Sequence, residues 1–381
     1  MTGRHYLDHA STSPPRPEVV AAVRDWLAGP FGDPGRVHEE GRQVRGVVEE
    51  AREKVAGLLG VRPRQVVFTS GATEAANAAV WGATRRVPGG AVLCADVEHS
   101  SVRDASARLA PMEVLPVDGH GRIDPGGVAA ALRRRATDGV ALVHCQWANH
   151  EVGTVQPVAE VVAAARDAGV LVHVDAAAAA GQVDLGLGTL DADLVSVSGH
   201  KMGGPPGVGA LVVRRGLRIE PLLVGGQQER ARRGGMENVA GIVGFGAAAD
   251  ALAADGGRRM AAEAAAARAR TDAVVRAATA VDGVHQVGDP VDRLPHLVCL
   301  GVDGVEAEPV LLGLDRAGVA AHSGSACSSE SLEPSPVLAA MGVDPSHSLR
   351  LSVGWSTGDA DVDAFAAAFG PVVAGLRALR R

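Results

Sequence analysis

Six short runs of apolar residues, set between stretches of helical spacing, limit what this chain can become. Positions 66–69, 91–94, 140–146, 170–174, 194–198 and 208–213 are apolar in succession rather than on alternate residues. A strand apolar on both faces is covered on both faces, which is the condition of a parallel sheet between two layers of helix. The intervening stretches agree. In 42–59, Val44, Val47, Val48, Ala51, Val55, Leu58 and Leu59 recur at helical spacing and Gly60 supplies a stop. A second helix over 157–168 stops at Gly169, and a third opens just after Ser70-Gly71. The expected fold class is α/β with a mostly parallel central sheet, and ligands collect at the carboxyl ends of such strands.

Beyond the sixth run the pattern changes. Residues 240–280 are rich in alanine, include the run AAEAAAARAR, and read as a solvated connecting helix. New strand signals at 296–302, 319–321 and 349–353, with a last helix near 362–379, indicate a second, smaller α/β domain. A chain of 381 residues with 46% apolar content has material for both. Its net charge of −7 argues against a mainly electrostatic nucleic-acid binder. The N-terminal MTGRHYLDHASTSPP has no apolar signal core, and no run approaches the roughly 18 apolar residues of a membrane span, so a cytoplasmic location is expected. Four scattered cysteines without a CxxC pair favour neither a disulfide framework nor a metal site.

Four features carry chemistry. Lys201, in Ser198-Gly199-His200-Lys201, follows a strand end and is fenced by glycines; a lysine withdrawn from water there is suited to a Schiff base. Asp175 closes the strand VLVHVD, where a carboxylate needs a cationic partner such as a pyridinium nitrogen. Thr69-Ser70-Gly71-Ala72-Thr73-Glu74 joins a strand to a helix start, where backbone N–H groups and the Thr73 hydroxyl suit a phosphate. Cys94, Cys145 and Cys299 lie in apolar strands and read as inert core residues, whereas Cys327 sits in the small, polar stretch His322-Ser323-Gly324-Ser325-Ala326-Cys327-Ser328-Ser329. Together these are the parts of a pyridoxal 5′-phosphate (PLP) site with a thiol nucleophile beside it.

The chain resembles the NifS/IscS-type cysteine desulfurases of the class V aminotransferase-like group. YLDHAST (6–12), FTSGATEAAN (68–77), NHEVGTVQP (149–157), HVDAA (173–177), SVSGHKMGGPPGVGALVVRRG (196–216), GGQQERARRGGMENVAGIVGFG (225–246) and HSGSACSSESLEPSPVLAAMG (322–342) carry the resemblance over nearly the whole length. It implies the PLP-dependent aspartate-aminotransferase-like fold (fold type I). The large PLP-binding domain would span 15–255. The small domain would comprise 1–14 and 256–381 and carry a catalytic-cysteine loop at about 322–335. It implies that Lys201 holds PLP and that Asp175 meets the ring nitrogen. Ala72, Thr73, Ser198 and His200 would hold the phosphate, and His99 would stack on the ring and move protons. Arg350 would take the carboxylate of L-cysteine. Cys327 would receive the sulfur as a persulfide, leaving L-alanine, and pass it to a sulfur-acceptor protein. A homodimer is implied as well, with no direct nucleic-acid or membrane partner.

Three positions depart from the family pattern. His150 stands where an asparagine usually bonds the phenolic oxygen of PLP. Ala178 replaces a glutamine that contacts the same oxygen. Met236 replaces a threonine that reaches the phosphate from the partner subunit. Weaker PLP retention is expected, with His150 as a substitute donor whose protonation matters near neutral pH. A related selenocysteine lyase or C–S lyase is the alternative reading, and a non-catalytic scaffold on the same fold a remote one.

Overall fold

Continuous apolar runs become strands here because each of their positions meets a helix or a neighbouring strand. The computed structural model describes residues 3–137, 139–323 and 335–379. After a two-residue strand β1 (His5–Tyr6) come the strands of the central sheet: β2 (Val66–Thr69), β3 (Ala91–Ala95), β4 (Met112–Leu115), β5 (Val140–Gln146), β6 (Leu171–Asp175), β7 (Leu194–Ser198) and β8 (Gly209–Val213). They lie in the order β2-β8-β7-β6-β5-β3-β4. Strands β3 to β7 are mutually parallel, and β8 runs antiparallel to both its neighbours. All positions of β3, β5 and β7 are buried. The sequence did not signal β4, since Met112-Glu113-Val114-Leu115 is short, lies at the sheet edge and is half exposed.

Adjacent residues on one strand serve opposite layers. Leu142 packs with Ala75, Ala79 and Val102 from the helices Ala72–Arg86 and Ser100–Leu109. Val143 faces the larger core built on the helix Glu39–Leu59. That helix ends at Gly60, whose φ of 68° lies in the left-handed region that glycine enters without a Cβ penalty.

Residues 240–280 form two helices, Val239–Ala253 and Arg258–Thr279, and the first is not solvated. Ile242, Phe245, Ala248 and Leu252 are buried in the larger core, where this helix packs on Glu39–Leu59 and Pro17–Ala28. No charge occurs from Val239 to Ala249, and a helix apolar all round belongs in an interior. The second helix is exposed except for a stripe at Ala267, Thr271, Val274 and Ala278. The stretches Val239–Thr279 and Asp359–Leu379 are long and apolar enough to cross a membrane, which corrects the expectation that no run approaches such a span. Each nevertheless places apolar residues in a core of this fold.

A second sheet is antiparallel, in the order β12-β13-β10-β9, with β9 (Val284–Val287), β10 (Leu297–Val302), β12 (His322–Ser323) and β13 (Ser348–Ser352). Strand β11 (Val319–Ala320) pairs in parallel with β1. Val298, Leu300, Leu349 and Leu351 pack against Phe365 and Phe369 of the last helix. The N-terminal segment returns to this sheet: Asp8 bridges Ser352, and the Ala10 N–H donates to Ser352 Oγ at 2.8 Å.

Candidate active site

Parallel strands β5, β6 and β7 end along one edge. Gln146 lies opposite Asp175 across β5–β6, and Asp175 lies opposite Ser196 across β6–β7. Ser198 is the last residue of β7, and the next turn, His200–Met202, carries Lys201. From the other side β2 ends at Thr69 and the helix Ala72–Arg86 begins. These ends enclose a cavity of about 460 Å³. The nine described residues expected at the site, namely Ala72, Thr73, His99, His150, Asp175, Ser198, His200, Lys201 and Arg350, all line it. Cys327 lies outside the described residues.

One end of the cavity suits an anion. The N-terminal amides of a 15-residue helix and the Thr73 hydroxyl face it, joined by Ser198 and His200. Close approach of β8 makes this end compact: a Cβ on Gly209 would lie 2.6 Å from the Val197 carbonyl and 2.7 Å from Gly71 Cα. Glu74, in the first helical turn, accepts from the Ser70 N–H at 2.8 Å and is ion-paired to Arg233 at 2.9 Å, which offsets its charge beside the cradle.

Asp175 is held as a carboxylate acceptor. Its Oδ1 accepts from the Ala177 N–H at 2.9 Å and from the Ser196 hydroxyl at 3.1 Å. Glu98 lies behind it, wholly buried; burial and then the Asp175 charge push its carboxyl up to about 8. It is therefore protonated at neutral pH, which spares Asp175 a second negative neighbour.

The two histidines meet edge to face, with ring centroids 4.9 Å apart. His99 Nδ1 accepts from the Ser101 N–H at 3.1 Å, so the neutral ring carries its proton on Nε2. Burial, then His150 and Lys201, lower its pKa. Burial followed by Lys201 pushes His150 down to about 3. His150 is thus a neutral ring throughout the neutral range, and the expectation that its protonation matters there is corrected.

Lys201 is set by its backbone. Arg16 Nε donates to the Met202 carbonyl at 2.9 Å, and the same guanidinium pairs with Glu263 at 2.6 Å. Arg350, 2% exposed, donates from Nη1 to the His150 carbonyl at 3.0 Å and from Nη2 to Asp8 Oδ1 at 2.9 Å and Ser11 Oγ at 2.6 Å. Its Nε–H has no partner among the described residues.

Sequence reasoning missed Gln146. This side chain is 3% exposed, lines the cavity, and its Nε2 is a buried donor without a partner among the described residues. The signal was available as a polar residue closing an otherwise apolar strand one position across from Asp175. An orphaned donor of this kind calls for an acceptor in the cavity. With an anion cradle, a carboxylate for a ring nitrogen and an amine, the donor set fits PLP.

Residues 5–365 match the family described as Aminotransferase class-V. A cysteine desulfurase of Trichormus azollae is 39% identical, covering 98% of this chain and 94% of its own. The cysteine desulfurase IscS 1 of Archaeoglobus fulgidus is 38% identical over 98% of both. Among solved structures, a NifS-like protein superposes with a TM-score of 0.89 at 28% identity, covering 98% of this chain and 100% of its own. SspA in complex with cysteine gives a TM-score of 0.79 at 26% identity, covering 92% and 99%.

Proposed function

This chain belongs to the class V aminotransferase family and is a PLP-dependent cysteine desulfurase, and from that premise we propose that Lys201 carries the cofactor as a Schiff base and that Cys327 receives the sulfur. The observation that carries the reading is the convergence of Lys201, Asp175 and the helix start at Ala72-Thr73 on one cavity.

When bound, PLP supplies an electron sink that labilises the α-proton of the substrate amino acid. Ala72, Thr73, Ser198 and His200, which line the cavity, would hold its phosphate, and Asp175 would offer a carboxylate oxygen to its ring nitrogen. Arg350 takes the carboxylate of L-cysteine, which competes with Asp8 and Ser11 for the guanidinium. Lys201 Nζ would serve as the base for the α-proton. His99, neutral with its proton on Nε2, would stand beside the bound cofactor and move protons at that atom. The Cys327 thiolate attacks the substrate sulfur; the carbon–sulfur bond breaks as the sulfur–sulfur bond forms, and a proton completes L-alanine. L-cysteine and one thiol become L-alanine and one persulfide, with no external oxidant. The persulfide passes to the thiol of an acceptor protein.

A homodimer belongs to the same reading. Val20, Leu27, Phe31, Val37, Val224 and Met236 are all more than half exposed, an apolar surface that a second copy would cover. A cytoplasmic location accords with the free thiols of Cys94, Cys145 and Cys299.

The test is mass spectrometry of cysteine-treated protein. One added sulfur on Cys327 is expected in the wild type and none in Cys327→Ser, with alanine release lost. Unchanged turnover in Cys327→Ser would favour a lyase.

A further inference from the structure

Behind Asp175 a row of polar side chains crosses an otherwise apolar layer. Ser196 Oγ lies 3.1 Å from Asp175 Oδ1 and 3.1 Å from His173 Nε2. His173 Nδ1 lies 2.9 Å from His144 Nδ1, and His144 Nε2 lies 3.1 Å from Ser106 Oγ. All four side chains are fully buried. Their neighbours on that face of the sheet, Leu142, Leu194, Val102 and Ala105, are apolar. The register explains the row: His144 is opposite His173 across β5–β6, and Asp175, two residues along the same face of β6, is opposite Ser196 across β6–β7.

Counting protons outward from the carboxylate sets the direction of each bond as far as His144. A carboxylate only accepts, so the Ser196 hydroxyl donates to Asp175. Ser196 then has only lone pairs for His173, whose Nε2 must carry the proton. A neutral His173 offers its Nδ1 as an acceptor, so His144 donates from Nδ1 and leaves its Nε2 to accept from Ser106. Burial keeps both rings neutral, lowering His144 well below the usual value and His173 to about 4. The Ser106 hydroxyl also lies 2.7 Å from the Val102 carbonyl and serves one acceptor at a time.

We propose that Ser106, His144, His173 and Ser196 are positioning residues: a chain of aligned donors aimed at Asp175 Oδ1 that lowers the carboxylate's hold on a shared proton and so keeps that proton on the cofactor's ring nitrogen. This rests on the reading that the ring nitrogen of PLP meets Asp175. None of the four residues lines the cavity. The chain acts through Asp175 alone, whose other charged or titratable neighbours are Glu98 from the β3 side, His99, His150 and Lys201. Aligned donors in a dry layer polarise one another, so removing the far end is felt at the carboxylate.

The first measurement needs no cofactor. In protein labelled with ¹⁵N-histidine and stripped of PLP, nitrogen shifts and couplings identify the tautomers. His173 protonated on Nε2 and His144 on Nδ1 are expected; the opposite tautomers would aim the chain away from Asp175 and overturn the proposal. The second measurement uses loaded enzyme. Ser196→Ala is expected to shift the pH titration of the cofactor's absorption bands and to weaken PLP binding about tenfold, the scale of one hydrogen bond to a charged group. Ser196→Thr restores both, and His144→Phe gives a smaller shift in the same direction. Bands, titration and affinity unchanged in Ser196→Ala and His144→Phe would refute the proposal. A wild type that binds no PLP would instead defeat the functional reading, and the tautomers would still decide the chain.

Discussion

Arg52 and Glu229 form a buried ion pair whose rupture is a sharp test of how the anion cradle is supported. Both side chains are 2% exposed. Two bonds of 2.7 Å join the guanidinium to both carboxylate oxygens. Arg52 Nη1 also donates to the Val66 carbonyl at 3.0 Å, and Glu229 accepts from the Phe68 N–H at 2.9 Å. The pair therefore clamps β2, which leads into the turn before the helix Ala72–Arg86, to a segment where Glu229 and Arg230 hold left-handed φ values of 48° and 59°. Arg52→Met leaves a buried carboxylate with one backbone donor, a loss of about 3–5 kcal/mol. At about 1.4 kcal/mol per factor of ten, the folded-to-unfolded ratio falls by roughly two to three and a half powers of ten. Urea unfolding of the cofactor-free protein, followed by tryptophan fluorescence, measures it. Adding Glu229→Gln removes the stranded charge while keeping an acceptor for Phe68, so the double variant regains part of the loss. An Arg52→Met stability within about 1 kcal/mol of the wild type, or a double variant less stable than the single, would refute the clamp.

Gly209→Ala forces β8 away from the Gly71 turn, costing about 1–3 kcal/mol of stability and weakening PLP retention, as read by urea midpoint and dialysis. His150→Asn with Ala178→Gln should restore donors and tighten PLP binding about threefold to tenfold per bond, read by cofactor titration; no gain would mean that Gln146 already fills that role. Acid stability has a definite sign. His296, buried and crowded by His9 and then Lys201, is lowered to about 3, so the unfolded chain takes up a proton below 6.5 that the folded chain refuses. Stability present above 6.5 is lost as the pH falls, about 2 kcal/mol from this ring between 6.5 and 4.5. Urea midpoints over that window should decline less steeply in His296→Gln than in the wild type.

How far the sequence could be read depended on whether a residue's signal was local. The apolar runs at 66–69, 140–146 and 194–198 matched strands to the residue, because burial on both faces keeps successive positions mostly apolar and admits only polar side chains that find partners. Lys201 and Thr73 were legible because each sits near a strand end with glycine or a helix start beside it, and Asp175 because it is a carboxylate closing an apolar strand. The helix Val239–Ala253 was misjudged because alanine is as common on solvated helices as in tight cores, and only the missing charges distinguish them. The donor chain was invisible for another reason. His144, His173 and Ser196 look unrelated along the chain, and register alone makes them neighbours.

The tie between Arg350 and Asp8 spans 342 positions and has a consequence for biosynthesis. The residues proposed to hold the phosphate and ring all precede position 210, whereas the guanidinium proposed for the amino acid's carboxylate lies within the final tenth of the chain. On that reading, selection of the substrate waits on residues near the far end of the chain. Completing that selectivity requires the earliest and latest segments to meet, the kind of distant closure that slows folding.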